Sequence, residues 1–282
     1  IMSEFKCRFC SVCLGRGCIN QLPGMGGEDG NKNFILNCDG WKKIPSGPFA
    51  DSKTILRLAP MTGAEQNMGY DGERQYYFDM MKSCAESGTA ISIGDGTPDC
   101  KLLWGIEAVK SVEKKAAVFI KPYENKKIIE RMEWAEEIAE SCGIDIDAYN
   151  ILTMRNAAHL EKKSVENLRE VQKFLAAKNI PFVIKGIFTD EDLELVRELK
   201  PDVAFISNHG GRVPTRTGSV AEFLAAHADE IRNNCGEIWV DGGIRTKADF
   251  EKARSYGVTN VLLGRPYVTA LCKKESFENI LK

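Results

Sequence analysis

Eight short runs rich in β-branched residues alternate with longer segments of helical period from Thr54 onward. This rhythm constrains the fold most, because a strand that recurs after each helix builds a parallel sheet. The runs are "TILRLAP" from Thr54, "TAISIG" from Thr89, "AAVFIK" from Ala116, "AYNIL" from Ala148, "PFVIKG" from Pro181, "VAFISN" from Val203, "EIWVDGG" from Glu237 and "VTNVLLG" from Val258. They show little polar alternation, as strands covered by helices do. Between them, "NKKIIERMEWAEEIAES" from Asn125 sets Ile128, Ile129, Met132, Ala135, Ile138 and Ala139 at spacings of three and four, which predicts one buried helix face. Thr189 before "DED" predicts a capped helix start and Thr246 another, with Gly257 ending the second. The expectation is an α/β fold, a (β/α)8 TIM barrel over residues 53–282, with an open doubly wound sheet as its rival.

Residues 1–52 read differently. "LPGMGGEDGNKNF" and "KKIPSGPF" carry Gly, Pro and Asn without periodicity, so this cysteine- and glycine-rich stretch is expected to be an irregular N-terminal extension wrapped on the barrel. No apolar stretch approaches the roughly 18 to 20 residues that span a bilayer, and a net charge of −2 with dispersed Lys and Arg leaves no basic face for a nucleic-acid backbone. A small-molecule partner is expected, with neither nucleic acid nor membrane. No hydrophobic leader core precedes the cysteines, so a cytoplasmic, reducing location is expected too.

In a barrel the chemistry gathers at the C-terminal strand ends. Those ends read Ala59-Pro60-Met61, "IGDGT", "IKPY", Asn150, Lys185, "SNHGGR", "DGGIRT" and "LGRP". Gly242 and Gly243 allow backbone N–H groups to approach an anion, Thr246 opens the next helix, and Gly264-Arg265 sets a guanidinium on the neighbouring loop. Two such loops on adjacent strands point to a phosphate site. Lys185 ends an apolar run, where a cation needs an anionic or electron-rich partner, although snorkelling to the barrel mouth or pairing with a nearby carboxylate is the simpler alternative. His209, followed by two glycines and Arg212, could take a proton while the guanidinium holds a carboxylate; a histidine satisfied by the backbone of a turn is the competing reading. His227, in a helical run, reads as ordinary packing.

"FVIKGIFTDEDLELVRELKPDVAFISNHGGR" and "IWVDGGIRTKADFEKARSYGVTNVLLGRP" resemble the C-terminal half of the FMN-dependent α-hydroxy-acid oxidases and dehydrogenases, which include glycolate and lactate oxidases. The resemblance is dense from Pro181 to Pro266 and thinner before it. It implies FMN at the barrel mouth, with Lys185 and Ser207 near the ring, Ala59, Pro60 and Met61 lining it by backbone, and Asp241 toward the ribityl chain. Gly243, Arg245, Gly264 and Arg265 would hold the phosphate. His209 would be the base and Arg212 the carboxylate clamp, for either hydride transfer or carbanion formation. The resemblance also implies a homo-oligomer.

Departures from the pattern stand beside it. "FIKPY" supplies Lys121 where a Gln is usual, and Tyr123 is the candidate substrate-binding tyrosine. By spacing, the strand-four Thr and Asp read as Asn150 and Leu152, which would leave the histidine without its orienting carboxylate and lower its pKa. His159 stands near the place of a second substrate arginine, and the Asp usual after "GGR" is absent.

"CRFCSVCLGRGC" places Cys7, Cys10, Cys13 and Cys18 at spacings that could surround a metal, as an Fe–S cluster or Zn, with Cys38 as a further ligand; packed or redox-active thiols are the main reading. The expected function is oxidation of a small L-2-hydroxy acid, lactate- or glycolate-like, to the 2-oxo acid, passing electrons to an unassigned acceptor. Two alternatives stand. One is a different substrate or isomerase chemistry on the same flavin site, favoured by Lys121, Asn150 and Leu152. The other is a flavin- or metal-binding electron-transfer or sensor protein.

Overall fold

Seven of the eight expected runs become strands in place. The computed structural model describes residues 32–49, 53–65, 70 and 72–281. Its strands are β1 (Ile55–Leu58), β2 (Ser92–Gly94), β3 (Ala116–Ile120), β4 (Ala139–Asp145), β5 (Phe182–Ile187), β6 (Val203–Ile206), β7 (Glu237–Val240) and β8 (Asn260–Leu263). All pair in parallel in the order β1-β8-β7-β6-β5-β4-β3-β2. A bridge between Arg57 and Ala90, with Leu58 N–H donating to Ala90 O at 2.8 Å, brings the two ends of the sheet together. The fold is a (β/α)8 barrel.

Side chains alternate across the barrel wall as the period of two requires. Phe119 points inward with Ala117, Val183, Val203, Phe205, Trp239 and Leu262, whereas Val118 and Ile120 join the larger core under the helices. Phe119 meets Phe205 edge-on at 5.6 Å between centroids. Arg57 fills the N-terminal end of the barrel: its guanidinium lies 4.7 Å from the Trp239 ring centroid, donates to Asn260 Oδ1 and Ile91 O, and pairs with Glu140. The opposite end is thus left for a ligand.

The described helices are α1 (Lys32–Lys43), α2 (Glu73–Ser87), α3 (Cys100–Ser111), α4 (Asn125–Ala135), α5 (Leu152–Ala157), α6 (Val165–Ala177), α7 (Asp190–Leu199), α8 (Val220–Arg232), α9 (Lys247–Ser255) and α10 (Arg265–Lys273). Thr189 and Thr246 cap α7 and α9 as expected, each in a reciprocal box with Asp192 or Asp249. Gly257 follows the C-cap of α9 with φ 75°. No described helix is long and apolar enough to cross a membrane.

Two expectations are corrected. The helix from Asn125 ends at Ala135, and β4 begins at Ala139 after a 3₁₀ turn, while "AYNIL" falls across the 3₁₀ turn Ile146–Asn150 and the start of α5. β4 escaped notice because its centre is small. A Cβ on Gly143 would come within 2.9 Å of both the Phe119 ring and Val183 Cβ, so the bulk at this level comes from the neighbouring strands. The second correction concerns the extension, which contains a regular helix. α1 buries Phe34, Cys38 and Trp41 at helical spacing together with Asn33 and Asn37, and packs on α8 and α9. Its buried face sets Asn33, Asn37 and Gly40 beside Phe34, Cys38 and Trp41, which dilutes the apolar period.

Candidate active site

A cavity of about 370 Å³ opens at the C-terminal end of the barrel. Its wall contains Ala59, Pro60 and Met61 after β1, Lys185 on β5, His209 and Arg212 after β6, Asp241, Gly243 and Arg245 after β7, and Gly264 and Arg265 after β8. These positions are far apart in the chain; closure of the barrel brings them around one space.

The polar centre sits between β4, β5 and the loop after β6. Lys185 Nζ donates to Asp145 Oδ1 at 2.6 Å and lies 3.8 Å from Asp147 Oδ1. His209 Nδ1 is 3.2 Å from Asp147 Oδ1 and 3.6 Å from Asp145 Oδ1. The sequence reading missed both aspartates. They stand two residues apart at the end of β4, the spacing that the resemblance assigns to Asn150 and Leu152. Asn150 ends the 3₁₀ turn outside the cavity wall, and Leu152 is 62% exposed. The histidine therefore has its orienting carboxylate. The signal that could have found it is "DID" ahead of the turn.

Gly186 makes this arrangement possible. Its φ of 104° bends β5 where its register with β6 shifts, and a Cβ there would lie 2.6 Å from Asp147 Cβ. Only glycine lets the Asp147 turn approach β5 so closely.

Burial disfavours charge in this cluster, and the pairing decides which groups carry it. Burial pushes Asp145 up, but Lys185 and His209 outweigh it and hold the carboxyl well below its usual range. Burial holds Asp147 above that range, reinforced by the Asp145 charge and opposed by Lys185. Burial pulls His209 down and Asp145, with Asp147, more than offsets it, so the imidazole is raised rather than lowered as Leu152 had implied. Lys185 is raised by Asp145 and Asp147 against its own burial and is fully charged. The ligand atoms of Asp145, Asp147 and His209 lie within 4.8 Å of one another, but the Lys185 ammonium already bonds Asp145 and sits beside Asp147.

The remaining candidates separate cleanly. Ser207 is fully buried behind the wall, where its Oγ accepts His209 N–H at 3.1 Å. Tyr123 is not in the wall; its ring is covered by Lys127 at 4.3 Å and Arg131 at 4.9 Å. His159 is exposed outside the wall, and Arg155 of α5 lies over Tyr149 instead. His227 packs on Phe223 at 4.6 Å, as expected for an ordinary histidine. Lys121 does line the cavity: its ammonium donates to Asp95 O and burial lowers its pKa. Phe34 of α1 joins the wall, an element the sequence reading did not bring to the site. Cys7, Cys10, Cys13 and Cys18 lie outside the described residues, and Cys38 is buried in α1.

The sequence profile described as FMN-dependent dehydrogenase matches residues 107–276, more than half of the chain. The chain belongs to this family. Within the FMN-dependent dehydrogenases, a stretch of 101 residues is 39% identical to 2-hydroxyacid oxidase 2 of Mus musculus, covering 34% of this chain and 27% of that protein. A stretch of 103 residues is 38% identical to L-lactate dehydrogenase of Vibrio parahaemolyticus, covering 36% and 27%. The match thus spans about a quarter of these relatives' length. The fold resembles the flavin-binding domain of baker's yeast flavocytochrome b2, with a TM-score of 0.67 at 20% identity over 86% of this chain and 70% of that one. It also resembles a mandelate oxidase variant with benzoyl-formic acid, with a TM-score of 0.69 at 19% identity over 89% and 81%.

The cavity fits the cofactor named by the family. Asp241 Oδ1 is buried without a hydrogen-bond partner, as a group awaiting a ligand hydroxyl would be. Arg245 and Arg265 share the wall with Gly242 and Gly243, both at positive φ, which is the donor set a phosphate requires.

Proposed function

We propose that the chain is an FMN-dependent oxidoreductase that oxidises a small L-2-hydroxy acid, of lactate or glycolate size, to the 2-oxo acid. The observation that carries this reading is the seating of His209 against Asp147 in the same cavity wall as Arg212 and the two phosphate-side arginines. When bound, FMN would supply the acceptor for the α-hydrogen and its electron pair as the substrate C–OH becomes C=O. Lys185, Asp241, Gly243, Arg245 and Arg265 would hold it, together with the backbone of Ala59, Pro60 and Met61.

With Nδ1 bonded to Asp147, the neutral His209 ring presents Nε2 as its acceptor. That nitrogen takes the substrate hydroxyl proton, and Asp145 and Asp147 stabilise the imidazolium that results. Arg212 pairs with the substrate carboxylate and orients the hydroxyl toward His209. The apolar sides of Met61, Phe34, Met154 and Ala157 limit water around the reacting carbon.

Anaerobic visible spectra of the FMN-loaded protein, taken before and after L-lactate, glycolate and mandelate in turn, test the reading. Bleaching by one of them is expected; a flavin that stays oxidised with every 2-hydroxy acid would overturn it.

A further inference from the structure

The turn that carries His209 is conformationally costly. His209, Gly210 and Gly211 all have positive φ, at 55°, 67° and 94°. For a histidine this left-handed conformation is uncommon and persists only where the surroundings fix it. Asn208 caps the turn from within, its Oδ1 accepting Gly211 N–H at 2.9 Å. Asn208 is in turn held by Asn37 of α1 through two reciprocal bonds: Asn37 Nδ2 donates to Asn208 Oδ1 at 2.7 Å, and Asn208 Nδ2 donates to Asn37 Oδ1 at 3.1 Å. Asn37 Oδ1 also accepts the N–H of Val220, the first residue of α8, at 3.0 Å. Both amides are buried, at 1% and 0% exposure, so neither has water as a substitute partner. The backbone of α1 presses on the same turn: a Cβ on Gly211 would stand 2.4 Å from Phe34 N.

We infer that Asn37 is a positioning residue for His209, clamping through Asn208 the strained turn that aims the imidazole at Asp145 and Asp147. α1 is therefore part of the catalytic apparatus, although it precedes the barrel in the chain and contributes no charged group to the site. The charged groups facing His209 are Asp145 on β4, Asp147 in the following turn, Lys185 on β5 and Asp241 after β7. Asn37 is neutral, so its removal acts on His209 through position alone. The raised imidazole depends on proximity to the two aspartates, and a loosened turn returns it toward the ordinary value near ~6.5.

This inference rests on His209 as the base, and its test reads His209 directly. In the FMN-loaded protein the His209 ring is titrated by NMR, His159 and His227 serving as internal references. Asn37→Ala is expected to lower the His209 midpoint toward the ordinary value and to slow flavin reduction by substrate about tenfold or more, with KM little changed. Asn33→Ala is the control for a general loosening of α1, since its bonds go to Val213 O, Arg216 O and Gly218 N rather than to Asn208. An unchanged midpoint in Asn37→Ala, or an equal shift in Asn33→Ala, overturns the assignment. Should Asn37→Ala not fold, Asn37→Ser is read against the same two outcomes, because it removes the amide donor to Asn208 without adding a charge near His209. A wild-type protein that turns over no 2-hydroxy acid would overturn the proposed reaction, whereas the titration would still decide the role of Asn37.

Discussion

His209 Nδ1 lies 3.2 Å from Asp147 Oδ1, so a carboxylate holds the ring by one nitrogen, and the proposed reaction uses the other. Such an outer partner fixes tautomer and orientation. Asp147→Ala is expected to leave FMN bound and to slow substrate-driven flavin reduction by about 10- to 100-fold, the usual cost of losing such a partner. Stopped-flow absorbance in the flavin band measures it, and a rate within twofold of wild type would remove Asp147 from this role.

The pH dependence follows from the sign of the His209 shift. A base works unprotonated, so kcat/KM rises as pH climbs through the His209 pKa, which Asp145 and Asp147 lift above the usual imidazole range against the effect of burial. Asp145→Asn removes one of the two charges that lift it, and the ascending limb should move to lower pH. A limb that stays in place would show that another group controls it.

Most of the barrel could be read in advance because seven strands carry their own β-branched bulk. β4 could not, because Gly143 must yield space to Phe119 and Val183. That single misplaced strand shifted the expected site to Asn150 and Leu152 and concealed Asp145 and Asp147. The cavity residues after β5 to β8 were legible since glycines, a histidine and arginines stand directly behind strands. α1 was not, as beside Phe34 its contacts to the site run through the amides of Asn33 and Asn37, which no apolar pattern marks. Tyr123 and His159 show the converse: a fitting residue type near a strand end is placed by packing that the linear sequence does not display.

Arg265 begins α10 one residue after β8 and shares the cavity wall with Arg245. A phosphate there gains charge-assisted bonds that a neutral side chain cannot replace. Arg265→Ala is expected to weaken FMN retention by about tenfold or more, consistent with loss of roughly 1.5 to 3 kcal/mol for a bond to a charged group. Titration of apoprotein with FMN, followed by flavin fluorescence, checks this, and unchanged affinity would contradict the phosphate assignment.

Lys185 is the cation that allows two aspartates to share this buried space. Removing one member of a buried pair leaves the other charge uncompensated, at a cost of about 3 to 5 kcal/mol. Lys185→Met should therefore lower the unfolding free energy by about that amount at neutral pH. In the wild-type protein the depressed pKa of Asp145 contributes stability that is present above its unfolded value and is lost as pH falls through the folded one. Without the ammonium that depression is reduced, Asp145 takes up a proton more readily, and the deficit of the variant should shrink as the solution is acidified. Lys185→Met combined with Asp145→Asn should recover part of the loss at neutral pH, because the stranded carboxylate is gone. Urea unfolding of the single and double variants across pH measures all three effects. A deficit that does not change with pH, together with no recovery in the double variant, would mean that Lys185 stabilises the barrel by packing against Phe205, 5.5 Å from its ammonium, rather than by charge.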